Sequence, residues 1–212
     1  KGSSAAAGVV GYLNGGTVKN CGNQASVSAG SNVGGVVGSA NGTCSVSGCY
    51  NAGTISGTTG YIGGVVGYND GGTVKNCLNA VSVVGYVWGT ATITESYNTG
   101  SITGPATVGG IAGGHKAKAV NCENCYNAGT INSSGSNNIG AVVGATRGGS
   151  LTNCYYVTDS WTQAVGSDAS ASGATATDSI SAEKLDDAFM VWNGKVALTW
   201  EPDVDTSAPV RP

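Results

Sequence analysis

Short runs of alternating apolar and polar residues fill most of the chain, each only a few residues long and fenced by Gly, Asn, Ser or Thr. Typical are Tyr-Ile-Gly-Gly-Val-Val-Gly-Tyr at 61–68, Gly-Thr-Val-Lys-Asn-Cys at 72–77 and Asn-Ala-Gly-Thr-Ile-Ser at 51–56. Alternation is sharp in Thr-Val-Lys-Asn and Gly-Thr-Ile-Ser, and weaker around the Val-Val pair. Runs of this length and period predict short β-strands, separated by turns of the Asn-Asp-Gly-Gly, Cys-Tyr-Asn and Gly-Thr-Thr-Gly kind. No helical period fits inside them.

The runs recur. Anchored on cysteine, equivalent positions are Cys21, Cys49, Cys77, Ser96, Cys125 and Cys154, at intervals of 28, 28, 19, 29 and 29 residues. Three residues before each anchor stands Val18, Val46, Val74, Ile93, Cys122 or Leu151. Two after it stands Asn23, Asn51, Asn79, Asn98 or Asn127, with Tyr156 breaking the column. Six after it stands Val27, Ile55, Val83, Ile102 or Ile131. A unit this small closes no core alone, but stacked copies do. The expected fold is therefore all-β: a parallel β-solenoid with three short strands per coil of roughly 28 residues, coils stacking about 4.8 Å apart. The unit ending at Ser96 is about nine residues short. It predicts a shortened coil, or a local break that exposes Tyr86 and Trp88.

After Cys154 the pattern stops. Residues 158–179 read as a polar loop. In the segment that follows, Ser181 is a candidate N-cap, Leu185, Ala188 and Phe189 share a helical face, and Lys-Val-Ala-Leu-Thr-Trp at 195–200 reads as a last strand. The expected division is solenoid over 1–156, capping segment over 157–201 and linker over 202–212, where three of the four prolines lie. No comparable cap precedes Gly8, so further coils are expected upstream, in a larger parent chain.

Composition narrows the picture. Charged residues make up 10% of the 212, and Gly accounts for 37 positions against 4 for Pro. High Gly without high Pro argues against collagen and against disorder. In-register stacking disfavours charge, because like charges would lie on top of one another. Nine Lys and Arg against twelve Asp and Glu form no basic patch, so nucleic acid is not an expected partner. No apolar stretch is long enough to cross a bilayer as a helix.

The candidate chemistry is sparse. The column Cys21, Cys49, Cys77, Cys125 and Cys154 suits buried, reduced thiols, with one or more disulfides as the alternative. Cys122 and Cys125 form a Cys-x-x-Cys, yet no second such pair or histidine pair accompanies them and both fall in repeat columns. No metal site or cofactor is therefore expected. Within 8–156 the carboxylates are Asp70, Glu95 and Glu123, at different offsets from the anchor, which does not suit the paired acids of a glycosidase. No catalytic residue is assigned. His115, Lys116 and Lys118 replace a polar turn and read as a surface turn, with an anionic ligand as the alternative. Thr90–Thr94 shows a Thr-x-Thr alternation that its neighbours do not repeat, against an ice-binding array. Tyr50, Tyr97, Tyr126 and Tyr155 follow the anchor in a row shared with Gly22 and Leu78, which suits corner packing. The less regular Tyr61, Tyr68, Tyr86, Trp88 and His115 are the weak candidates for an individual binding site.

The phrases Gly-Gly-Val-Val-Gly-Tyr-Asn-Asp-Gly-Gly-Thr-Val-Lys-Asn-Cys (63–77) and Ile-Gly-Ala-Val-Val-Gly-Ala-Thr-Arg-Gly-Gly-Ser-Leu-Thr-Asn-Cys (139–154) resemble the GLUG-motif repeat, over residues 8–156. The resemblance implies large secreted or surface-anchored bacterial proteins, including adhesins and regions flanking surface proteases, and supplies no catalytic residues. The expected function is a non-catalytic structural or adhesive module: an extracellular, monomeric segment of a larger chain, with a host glycan or a surface protein as partner. The alternative is a carbohydrate- or protein-binding module using aromatic edge loops. A β-helix polysaccharide lyase or glycosidase stands third.

Overall fold

The computed structural model describes residues 5–58, 61–79, 82–104, 107–115, 117–133, 138–157, 163–168 and 179–180. These residues form a parallel β-solenoid with no helix among them. The expected capping helix, the last strand at 195–200 and the linker lie outside the described residues.

Each full coil has five strand stations rather than three. In coil two they are Val33–Gly34, the two halves of Val37–Ser47, Tyr50–Asn51 and Ile55–Gly57. The three expected runs all carry strands. The Cys-Tyr-Asn segment, read as a turn, is also a strand, and the Tyr-Ile-Gly-Gly-Val-Val run holds two, Ile62–Gly63 and Val66–Asp70. Every pairing is parallel, with a register shift between Asn14 and Gly16 in the first long strand: Val10, Val37, Val66 and Val84 form one column, and Val18, Val46, Val74, Ile93, Cys122 and Leu151 form another. That column is 7% exposed or less throughout. Inside it lie the cysteine column and the paired valines such as Val36 and Val65, which together make one apolar core along the axis. Each buried Val or Ile contributes about 1.5–3 kcal/mol.

Two sequence features set the corners. The residue before each anchor, Asn20, Gly48, Asn76, Glu95, Asn124 or Asn153, has φ between 50° and 60°. Only Gly adopts this left-handed backbone freely and Asn tolerates it, which accounts for the recurring Asn-Cys. The first Gly of the Gly-Gly pair answers a different need. A Cβ on Gly34, Gly63, Gly109 or Gly140 would strike the carbonyl oxygen of Val37, Val66, Ala112 or Val143, so the chain doubles back too tightly for any side chain.

A buried asparagine ladder lines a further corner. Asn23 donates from Nδ2 to Asn51 Oδ1 at 2.8 Å, Asn51 to Asn79 at 3.1 Å and Asn98 to Asn127 at 2.7 Å. Each of Asn23, Asn51, Asn98 and Asn127 also donates to the carbonyl two residues on, and the amides of Ala25, Gly100 and Gly129 donate back to Asn23, Asn98 and Asn127. One side chain type thus ties coils one, two and three together and coil four to coil five, and holds its own turn.

The short unit is a shortened coil with a cut corner. Asn79 pairs in coil three and Val84 already in coil four, so among the described residues coil three has no Ile-Ser-Gly strand and coil four no Val-Gly strand. Val83 corrects the column counted from the anchor. It lies not beside Ile55 and Ile102 but in the Val-Val station, where its carbonyl accepts from the Val65 N–H at 3.1 Å. Ten residues are missing just before it and one extra follows Val87, a net loss of nine, so counting forward from Cys77 runs out of register. A second correction concerns the segment read as a polar loop. It carries a strand, Val165–Asp168, that adds in parallel to Val143–Thr146.

Candidate binding site: an aromatic cluster at the short coil

The strands carrying Tyr68 and Tyr86 stack in register, as coils three and four, and both tyrosines are only partly buried. Tyr61 precedes the strand Ile62–Gly63; its counterparts are Asn32, Thr107 and Asn138. Coil four has no such residue. The Tyr61 ring therefore lies on Tyr86, centroids 3.8 Å apart and planes 12° from parallel. Tyr68 flanks both, at 5.7 Å from Tyr61 and 6.1 Å from Tyr86. Trp88 follows on the same strand face, 6.4 Å from Tyr86. From coil five His115 meets Tyr86 edge-on at 5.3 Å and Trp88 at 5.3 Å.

Thus the five weak candidates, Tyr61, Tyr68, Tyr86, Trp88 and His115, come together in one surface cluster. Trp88 is 46% and Tyr61 37% exposed, so the cluster faces solvent. Burial, then a hydrogen bond with Tyr61, raises the Tyr86 phenol well above its ordinary value. Burial first, with Asp70 adding to it, raises Tyr68 as well. Both phenols are therefore neutral donors at physiological pH. The His115 Nδ1 accepts from the Ala117 N–H at 3.1 Å, which makes Nε2 the protonated nitrogen of the neutral ring. Lys116 lies outside the described residues. The Lys118 N–H donates to the His115 carbonyl at 3.2 Å, closing the surface turn expected there. Tyr12, not singled out by sequence, stands two coils away in the same column as Tyr68 and is 62% exposed.

The other candidates serve the rod. Cys21, Cys49, Cys77, Cys125 and Cys154 are free thiols, and each donates to the carbonyl two residues before it at 3.3–3.4 Å. Ser96 takes the same role at 2.8 Å, which explains why it substitutes without a break. Burial pushes Cys77, Cys122 and Cys125 well up, so these thiols stay protonated and unreactive. Glu95 pairs with Lys75 at 3.2 Å on the surface. In the tyrosine row Tyr97 and Tyr126 stack at 5.2 Å, and the Tyr50 ring covers Gly22, where a Cβ would collide with it. Thr92 and Thr94 sit between Thr73 and Lys75 on one side and Asn121 and Glu123 on the other, so no threonine array forms.

The family model described as the GLUG motif matches residues 58–79, so the chain carries a GLUG motif within its third coil. Its fold is similar to a crystal structure from Bacteroides ovatus, of a protein named "putative immunoglobulin A1 protease", with a TM-score of 0.61 and 20% sequence identity. The match covers 85% of this chain and 72% of the other. None of the curated proteins matches this chain.

Proposed function

We propose that this chain is a non-catalytic rod segment of a secreted or surface-exposed bacterial protein, which spaces and presents the parts it is joined to. The single observation carrying this reading is the unbroken ladder of Val-Val strands, parallel from Val10 to Val165 through Val37, Val66, Val84, Ala112 and Val143. Such a ladder makes each coil the template for the next and gives stiffness along one axis. The groups that could carry chemistry are otherwise engaged among the described residues: six of the seven cysteines are buried, and the histidine is part of a ring cluster. The similarity to a protein named as a protease sets the test. Immunoglobulin A1 and a panel of acidic and neutral polysaccharides, incubated with the purified chain, are expected to remain intact. Peptide fragments, reducing ends or unsaturated sugars above a buffer control would overturn the reading.

A second reading, favoured by the exposed rings, is that the cluster of Tyr61, Tyr86 and Trp88 holds a glycan of a host or neighbouring cell. Flat aromatic faces with phenol, indole and imidazole donors suit the apolar face and hydroxyls of a sugar. A glycan array is expected to give signals that Trp88→Ala removes, and an empty array for the intact chain would remove this reading.

A further inference from the structure

The cut corner leaves a gap one strand wide. The Ile-Ser-Gly ladder stops at Ile55–Gly57 in coil two and restarts at Ile102–Gly104 in coil four. The adjoining Tyr-Asn ladder runs unbroken from Tyr50 through Leu78 to Tyr97. The two facing edges are therefore two strand spacings apart, about 9.6 Å, the space that one additional strand fills. Among the described residues, none of coil three lies in that ladder.

The walls of the gap carry matched hydrogen-bonding groups. In a parallel ladder each residue turns its N–H and C=O to the same side, and alternate residues face alternate neighbours. Val27 donates to the Thr54 carbonyl at 2.9 Å, and Ile102 to the Thr130 carbonyl at 2.8 Å. That phase turns the N–H and C=O of Ile55 into the gap from one wall, and the C=O of Ser101 and N–H of Thr103 from the other. None of these four backbone groups has a partner among the described residues. Burial agrees at the adjoining station: Ile62 is partly exposed beside the gap, while its counterparts Val33, Val108 and Ile139 are buried. Unpaired parallel edges on both sides are a template for backbone, and for backbone in one direction only.

We propose that this gap binds an extended segment of a partner polypeptide, which enters as a parallel strand and completes the ladder between coils two and four. The incoming residue aligned with Ile55 and Ile102 donates to Ser101 and accepts from Thr103, while its two neighbours bond the C=O and N–H of Ile55. Its side chain joins an apolar column, so a β-branched aliphatic residue fits there. The residues on either side lie beside Ser56 and Thr103 and are small and uncharged, because neither wall carries a charge to meet one. A sugar cannot satisfy donors and acceptors at this alternating spacing on both walls at once. The site is separate from the rod function and from the aromatic cluster, which borders it through Tyr61.

The probe is a fluorescein-labelled peptide copying residues 52–63, the corner that coil three omits, titrated against the full chain by fluorescence anisotropy. Saturable binding is expected, with no binding of a scrambled peptide. N-methylation of the isoleucine matching Ile55 removes one ligand N–H without touching the protein, and is expected to weaken binding at least tenfold. Thr103→Pro removes one wall donor at an edge position with an exposed side chain, and is expected to do the same while circular dichroism stays that of the parent. Insertion of the same twelve residues between Asn79 and Ser82 fills the gap from within and is expected to abolish binding. Failure of the copy peptide to bind overturns the proposal. So does binding that survives both N-methylation and Thr103→Pro, which would place the peptide on the aromatic rings instead.

Discussion

Coils two and four bury the same columns yet differ by a whole corner. Cys49 and Ser96 occupy one column, Val46 and Ile93 another, and Asn51 and Asn98 a third, all between 0% and 2% exposed. In the regular region the chain takes 28 residues from Cys49 to Cys77; in the short one it takes 19 from Cys77 to Ser96. The difference separates what the solenoid requires from what it tolerates. The Val-Val, Thr-Val-Lys and Tyr-Asn stations carry the continuous core. The Ile-Ser-Gly and Val-Gly stations form a corner that can be omitted, and its omission creates both the exposed ring cluster and the gap with unpaired edges.

The comparison breaks most sharply under large-to-small substitution. Ile93→Ala, in the continuous column of the short coil, is expected to cost about 2–5 kcal/mol in a urea titration. Ile102→Ala, in the satellite cluster of Ile102, Val108, Ile131 and Ile139, is expected at the lower end of that range. The reverse order would mean that the corner, not the inner stations, holds the rod. Next comes the ladder: Asn98→Ala removes the donor to Asn127 Oδ1 and leaves the Gly100 N–H and C=O of its own turn without their side-chain partner, and is expected to cost about 1–3 kcal/mol. Asn98→Asp, of the same size but unable to donate, should be no milder.

A pH titration gives a smaller effect with a definite sign. Burial holds Tyr97 up to about 12, above an ordinary tyrosine near 10. The unfolded chain therefore loses this proton before the folded one does. Its stabilisation is complete below pH about 10 and is lost as pH rises through about 12. The melting temperature is expected to fall as pH rises from about 10 to about 12, and to fall less over that range in Tyr97→Phe. The smallest effect is a gain. Thr107 has a φ of 49° where Asn32 and Asn138 stand in equivalent coils, and β-branched residues are strained there. Thr107→Asn is expected to stabilise by about 1 kcal/mol.

Much of this was legible in the sequence because the repeat is itself the fold. The anchor column, the apolar column from Val18 to Leu151 and the short unit all follow from spacing, since in-register stacking keeps equivalent residues equivalent. Three things were not legible. The Cys-Tyr-Asn strand is two residues long and held by an asparagine side chain, a pattern that resembles a turn. Val83 was misaligned because a deletion inside a repeat shifts every position counted across it. The assembly of Tyr61 with Tyr86 was hidden because their contact depends on a residue that coil four lacks, and an absence in one copy shows only after the copies are stacked. Trp88 and His115 stood out by irregularity alone, the one signal that marked the cluster in advance.

Residue-resolved hydrogen–deuterium exchange tests the cut corner most directly. The account expects the amides of Val65, Val84, Tyr97 and Ile102, which donate within ladders, to exchange slowly, with those of Ile55 and Thr103 exchanging fast between them. Protection of Ile55 and Thr103 equal to that of Ile102 would mean that the ladder closes across coil three, and would contradict it.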